Sequence, residues 1–114
     1  MTLNGTVSAN GLICGSYSGG SAGGSVWLLC GTKLSGTGAV ITANGGNTDK
    51  SGYHAAGGGY VSIWYGAMSD EVADWTVTAN GGIRTGTTER TSQWGGNGKT
   101  YWRQWHKGLM LFAR

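Results

Sequence analysis

The chain has no proline, one phenylalanine, two cysteines, two histidines and five acidic residues among 114. Each shortage removes a class of function. Cys14 and Cys30 cannot form a metal site by themselves and lack Cys-x-x-Cys spacing. His54 and His106 have no nucleophile motif beside them, so no catalytic triad is expected. A glycosidase needs two carboxylates about 5 to 10 Å apart. Of Asp49, Asp70, Glu71, Asp74 and Glu89, three crowd one short stretch that reads as a charged surface loop. The chain is therefore read as non-enzymatic, with no cofactor. Oxygen donors from Asn44 to Asp49 lack the spacing of a calcium loop, so no metal is expected either. No apolar run reaches transmembrane length, and Met1-Thr2-Leu3-Asn4-Gly5 has neither the charged nor the apolar region of a signal peptide. Only 11% of residues are charged, and the formal net charge is +3. Arg84, Arg90, Lys99, Arg103, Lys107 and Arg114 fall in the last third without the dense stripe of a nucleic-acid module, so no nucleic-acid partner is expected.

What the chain has instead is glycine, 24 residues of it, arranged around a threefold repeat. Val7-Ser8-Ala9-Asn10-Gly11 returns as Ile41-Thr42-Ala43-Asn44-Gly45 and as Val77-Thr78-Ala79-Asn80-Gly81. After each comes a glycine-rich stretch and then an aromatic run, beginning at Ser25, Tyr60 and Lys99. A period of about 35 residues implies copies of one supersecondary unit, none able to bury its apolar face alone. The expected fold is all-β: a short repeat solenoid, parallel β-helix-like, with units at about 3–33, 34–70 and 71–106 and a terminal segment at 107–114. A threefold β-prism or trefoil is the alternative.

Alternation assigns the faces. Val7 and Ala9, Ile41 and Ala43, and Val77 and Ala79 point inward. So do Val26, Leu28 and Cys30, then Val61, Ile63 and Tyr65, and more loosely Thr100, Trp102 and Gln104. The glycine-rich stretches suit tight corners, protruding arms or packed polyglycine-like layers. No helix is convincing, although Ala67 to Trp75 has room for one turn. Asn10, Asn44 and Asn80 occupy equivalent places, so parallel stacking would set them in a ladder; three separate Asn-Gly turns is the other reading. Each cysteine follows two apolar residues, which suits buried thiols, and a disulfide stays open.

Six tryptophans and five tyrosines exceed what so small a core holds. Trp27, Trp64, Trp102 and Trp105 lie in strands and divide between core and interface. Tyr17, Tyr53 and Trp94 lie in loops and are the candidates for stacking on a sugar or gripping a partner. Leu109, Met110, Leu111 and Phe112 form a continuous apolar patch suited to capping the fold or docking into a neighbouring subunit.

The phrases Leu34-Ser35-Gly36-Thr37-Gly38-Ala39-Val40-Ile41-Thr42-Ala43-Asn44-Gly45-Gly46 and Gly57-Gly58-Gly59-Tyr60-Val61-Ser62-Ile63-Trp64-Tyr65 resemble glycine-rich parallel β-helix repeat proteins of bacterial and phage surfaces. That resemblance implies an adhesin, tail fibre or tailspike context. The third unit departs from it at Lys99, Arg103 and Gln104. With no export signal in view, the expected role is a structural or adhesive virion component, most plainly a phage tail fibre or tail-tip protein involved in host attachment. It would self-associate as a trimer or polymer or dock onto a larger virion or surface protein, with a cell-surface glycan as a candidate ligand. A carbohydrate-binding lectin-like domain and a bacterial cell-surface adhesin fragment are the alternatives.

Overall fold

The computed structural model describes residues 1–13, 19–48, 54–84 and 94–105. Within them the protein is all-β, with a single 3-10 turn. The strands are β1 (Thr6–Ser8), β2 (Ser25–Leu34), β3 (Val40–Thr42), β4 (Tyr60–Met68), β5 (Thr76–Thr78) and β6 (Lys99–Gln104). Short and long strands alternate along the chain, and they sort into two sheets by length. One sheet has the order β1-β3-β5, the other β2-β4-β6. Every described pair is parallel, joining a strand to its counterpart in the next sequence repeat: Val7 to Ile41 to Val77 in the first sheet, Ile63 to Leu28 and Trp102 in the second. Two-residue hairpins make antiparallel pairs, so this pairing does not fit the threefold prism or trefoil.

The shared face of both sheets is the core. Ile41, Ala43, Val61, Ile63, Leu34 and Val72 are almost wholly buried there, with Val7, Ala9 and Val77 packed at its margins. Cys30 is a buried free thiol in the same cluster, while Cys14 lies outside the described residues. Thr100, Trp102 and Gln104 depart from expectation. They hold the register positions of inward residues, yet all three are exposed. Among the described residues β6 is the last strand of its sheet, with no further strand beyond that edge. Trp102 meets Tyr65 edge-on and Trp75 at a tilt, each at 6.3 Å between ring centroids.

The expected turn is the 3-10 helix Asp70–Asp74. It drops Val72 into the core and delivers Trp75, whose indole N–H donates to the Gly36 carbonyl at 2.8 Å. Gly36 has φ +130, and a Cβ there would collide with the Leu3 carbonyl. Only glycine fits that corner.

Glycine also joins the two sheets. The N–H groups of Gly24, Gly59 and Gly98, each just before a long strand, donate to the carbonyls of Ala9, Ala43 and Ala79, just after the short strands. All three bonds are 2.7 Å. A Cβ at Gly59 or Gly98 would collide with neighbouring backbone, whereas at Gly24 it would meet the Ala9 side chain at 3.3 Å. Farther out, Ser21 donates to Leu12, Gly46 to Ser21, Ala56 to Gly46, Gly82 to Ala56 and Gly95 to Gly82, all through main-chain groups at 2.8 to 3.1 Å. This zigzag crosses between sequence repeats and satisfies backbone groups that a side-chain-bearing segment could not bring so close. The described parts of the glycine stretches are thus a packed polyglycine-like layer.

Candidate functional site

A sheet buried on one side leaves alternate residues on the other. In β2, β4 and β6 those outward residues are Trp27 and Leu29; Tyr60, Ser62 and Trp64; and Tyr101 and Arg103, with Trp105 continuing the series. Registration sets Trp27, Ser62 and Tyr101 in one row across the sheet and Leu29, Trp64 and Arg103 in the next. Rows follow one another at about 6.6 Å and strands at about 4.8 Å. Side chains from three distant segments therefore meet on one surface.

The surface is aromatic and open. Trp27 is 71% exposed and Leu29 59%, values far above those expected for apolar side chains with a core available. Tyr60 and Tyr101 pack side by side at 5.2 Å between centroids, and Trp64 and Trp105 at 5.1 Å. Two hydrogen bonds hold the rings in place: Trp64 Nε1–H donates to Ser62 Oγ at 2.9 Å, and Trp105 Nε1–H donates to the Cys30 carbonyl at 3.0 Å. Between the rings run two shallow grooves that share Tyr60, Ser62 and Trp64. The groove toward β6 is bounded by Tyr101 and Arg103 and has a volume of about 440 Å³. The groove toward β2 is bounded by Trp27, Leu29 and Trp105, with about 460 Å³.

Charge on this face has one sign. The Arg103 guanidinium carbon lies 5.5 Å from the Trp64 ring centroid, a cation–π arrangement that fixes the side chain while leaving N–H groups at its edge. Lys99 is exposed at the Tyr60 end of β6. None of the outward positions of the three strands from Ser25 to Leu29, Tyr60 to Trp64 and Lys99 to Arg103 is acidic. The described acids sit apart, in the 3-10 turn, where the Glu71 carboxyl is held below its ordinary range chiefly by its own backbone amide, with help from the Gly36 amide and Lys33.

Of the strand tryptophans expected to divide between core and interface, Trp27, Trp64 and Trp105 lie on this face, whereas the asparagines, loop aromatics and terminal segment singled out from the sequence do not contribute to it among the described residues. Asn10, Asn44 and Asn80 form a column in which each side-chain carbonyl accepts the next asparagine's main-chain N–H: Asn44 N–H to Asn10 Oδ1 at 2.7 Å and Asn80 N–H to Asn44 Oδ1 at 2.8 Å. Asn44 Oδ1 also accepts from Thr78 Oγ1 at 2.9 Å. Trp94 is half-buried. Tyr17, Tyr53, Leu109, Met110, Leu111 and Phe112 lie outside the described residues. Among the described residues no three His, Cys, Asp or Glu side chains converge on a point where a metal would bind, and no helix is long and apolar enough to cross a membrane.

The aromatic face was legible only in part. Reading one position beyond the inward series Val26, Leu28 and Cys30 marks Trp27 and Leu29 as outward, but parallel sheets are commonly covered on both faces, so alternation alone does not predict exposure. No protein-family model, curated protein or solved structure matches the chain.

Proposed function

We propose that the chain is a non-enzymatic structural and adhesive module whose three sequence repeats form a short parallel β-helix-like stack within an extracellular assembly, most plainly a phage tail fibre or tail-tip protein. Its work is mechanical. Main-chain hydrogen bonds between repeats bear load along the stack, the glycine layer lets backbones approach closely, and the side chains left outside meet the host surface or a neighbouring subunit. The observation that carries this reading is the recurrence of one bond, glycine N–H to alanine carbonyl at 2.7 Å, at the same place in all three repeats. Among the described residues each sheet ends in an edge strand with no neighbour on its outer side, which supports self-association as a trimer or polymer or docking onto a larger virion protein.

Native mass spectrometry together with sedimentation velocity tests the assembly. A trimer or longer polymer at micromolar concentration is the expected result. A stable, lone monomer across the accessible concentration range would remove the basis for it. The lectin-like alternative draws support from the exposed tryptophan and tyrosine rings of the β2-β4-β6 face.

A further inference from the structure

We propose that the outward face of β2-β4-β6 binds an acidic polysaccharide, a chain of sugars that carry carboxylates, laid across the strands from Trp27 to Arg103. The proposal rests on the adhesive reading and names its ligand class.

Three observations carry it together. The first is the pair of adjoining grooves, which share Tyr60, Ser62 and Trp64 as a common floor and lie side by side across the sheet. A ligand that fills both must extend across the strands. The second is the lining. Trp27 and Tyr101 stand on opposite sides of Ser62 in one row, offering ring faces suited to the C–H face of a pyranose while Ser62 keeps the middle low. The third is charge complementarity. Arg103 and Lys99 lie on the β6 side of the face, and no outward residue from Ser25 to Leu29, Tyr60 to Trp64 or Lys99 to Arg103 is acidic. Arg103 is held over Trp64 with its N–H fork available, and that fork matches a carboxylate in a bidentate way.

The same observations disfavour other occupants. A second copy laid face to face would confront Arg103 and Lys99 with no carboxylate among those positions. Single-stranded nucleic acid also stacks on aromatic rings, but its binding channels follow the backbone with a dense row of cations, and two are present here. In the proposed complex, Trp27 and Tyr101 supply sequence-tolerant stacking, while Arg103 and Lys99 select the charged sugar.

Isothermal titration calorimetry of the full chain tests this with polygalacturonate, hyaluronan and polysialic acid as acidic probes. Methyl-esterified pectin serves as the uncharged counterpart of polygalacturonate, and a dT12 oligonucleotide as the nucleic-acid control. At least one acidic polymer should bind, and esterification should weaken the polygalacturonate interaction about tenfold or more, the effect of removing one bidentate ion pair. Trp27→Ala should lower affinity for the acidic polymer about tenfold by removing a stacked ring. Arg103→Gln should reduce the preference for acid over ester, and Arg103→Gln with Lys99→Gln should abolish it. All three side chains are exposed, and unchanged circular dichroism and urea midpoint identify variants that fold as the parent does.

The proposal is overturned if none of the acidic polymers binds, if ester and acid bind equally, if dT12 binds more tightly than every polysaccharide, or if Trp27→Ala dissociates an oligomer instead of weakening sugar binding. Self-association without polysaccharide binding would sink this inference and leave the assembly standing. Binding by a monomer would do the reverse.

Discussion

Replacing Gly59 by alanine adds one methyl group at a point where two repeats touch backbone to backbone. The new Cβ would overlap the Gly24 carbonyl oxygen and lie 2.7 Å from the Gly23 carbonyl carbon. Carbon and carbonyl oxygen ordinarily approach no closer than about 3.3 Å, so the strands must part. Nothing flexible is available to move aside, since the obstructing atoms are main chain. The Gly24 oxygen is also the acceptor for the Tyr60 N–H at 3.0 Å, and the Gly59 carbonyl accepts from Lys99 at 3.1 Å. Parting the strands strains both bonds, each worth about 1 kcal/mol net. With an overpacking term of roughly 1 to 3 kcal/mol, the expected loss is about 3 kcal/mol or more, a large share of the stability of a small domain. Gly31→Ala is the control. It lies in β2 with nothing within 4 Å of the added Cβ, and should be neutral or stabilising by about 0.4 to 1 kcal/mol through the unfolded state. Urea unfolding followed by tryptophan fluorescence measures both. If Gly59→Ala unfolds within about 0.5 kcal/mol of Gly31→Ala, the close backbone approach is refuted and the glycine layer with it.

The asparagine column makes a graded prediction. Asn44→Ala strands two donors and should cost about 2 kcal/mol, Asn10→Ala strands one and should cost about 1, and Asn80→Ala, which ends the column, should change stability by less than about 0.5. Equal losses for all three in urea unfolding would contradict the column. Ile63→Ala, at a fully buried core position, should cost roughly 3 kcal/mol, read as a drop in thermal midpoint of about 4 °C per kcal/mol. Because folding depresses the Glu71 pKa, its contribution is present above the ordinary value of 4.5 and fades as pH falls through the lower folded value. Wild type should therefore exceed Glu71→Gln in stability at pH 7, with the gap closing toward pH 3; a gap that widens on acidification would reverse the assignment.

The strands were legible because a period of two survives in spite of glycine. Val7 and Ala9, Ile41 and Ala43, and Val77 and Ala79 repeat the alternation closely enough to predict both the elements and their inward side. No helix was convincing in the sequence, and the stretch Ala67 to Trp75, which had room for one turn, carries the 3-10 helix Asp70–Asp74. Trp102 faces the expected side, against Tyr65 and Trp75, yet stays exposed, because periodicity reports which side a residue faces and says nothing of whether another strand lies beyond it.

Sequence alone determined the all-β class, the spacing of the sequence repeat and the inward side of the first five strands, since these follow from local alternation and the cost of leaving Val, Ile and Ala in water, while Leu34, Ala39, Val72 and Trp75 joined the core outside that pattern. Tertiary structure alone decided three things. Glycine stretches compatible with linkers, arms or layers became a layer because carbonyls of one repeat sit where a Cβ of another would be. The asparagines reached main-chain N–H groups through parallel register between residues 34 and 36 apart. Rings scattered from Trp27 to Trp105 became one surface, because strands distant in the chain are neighbours in the sheet and nothing among the described residues covers their outer face.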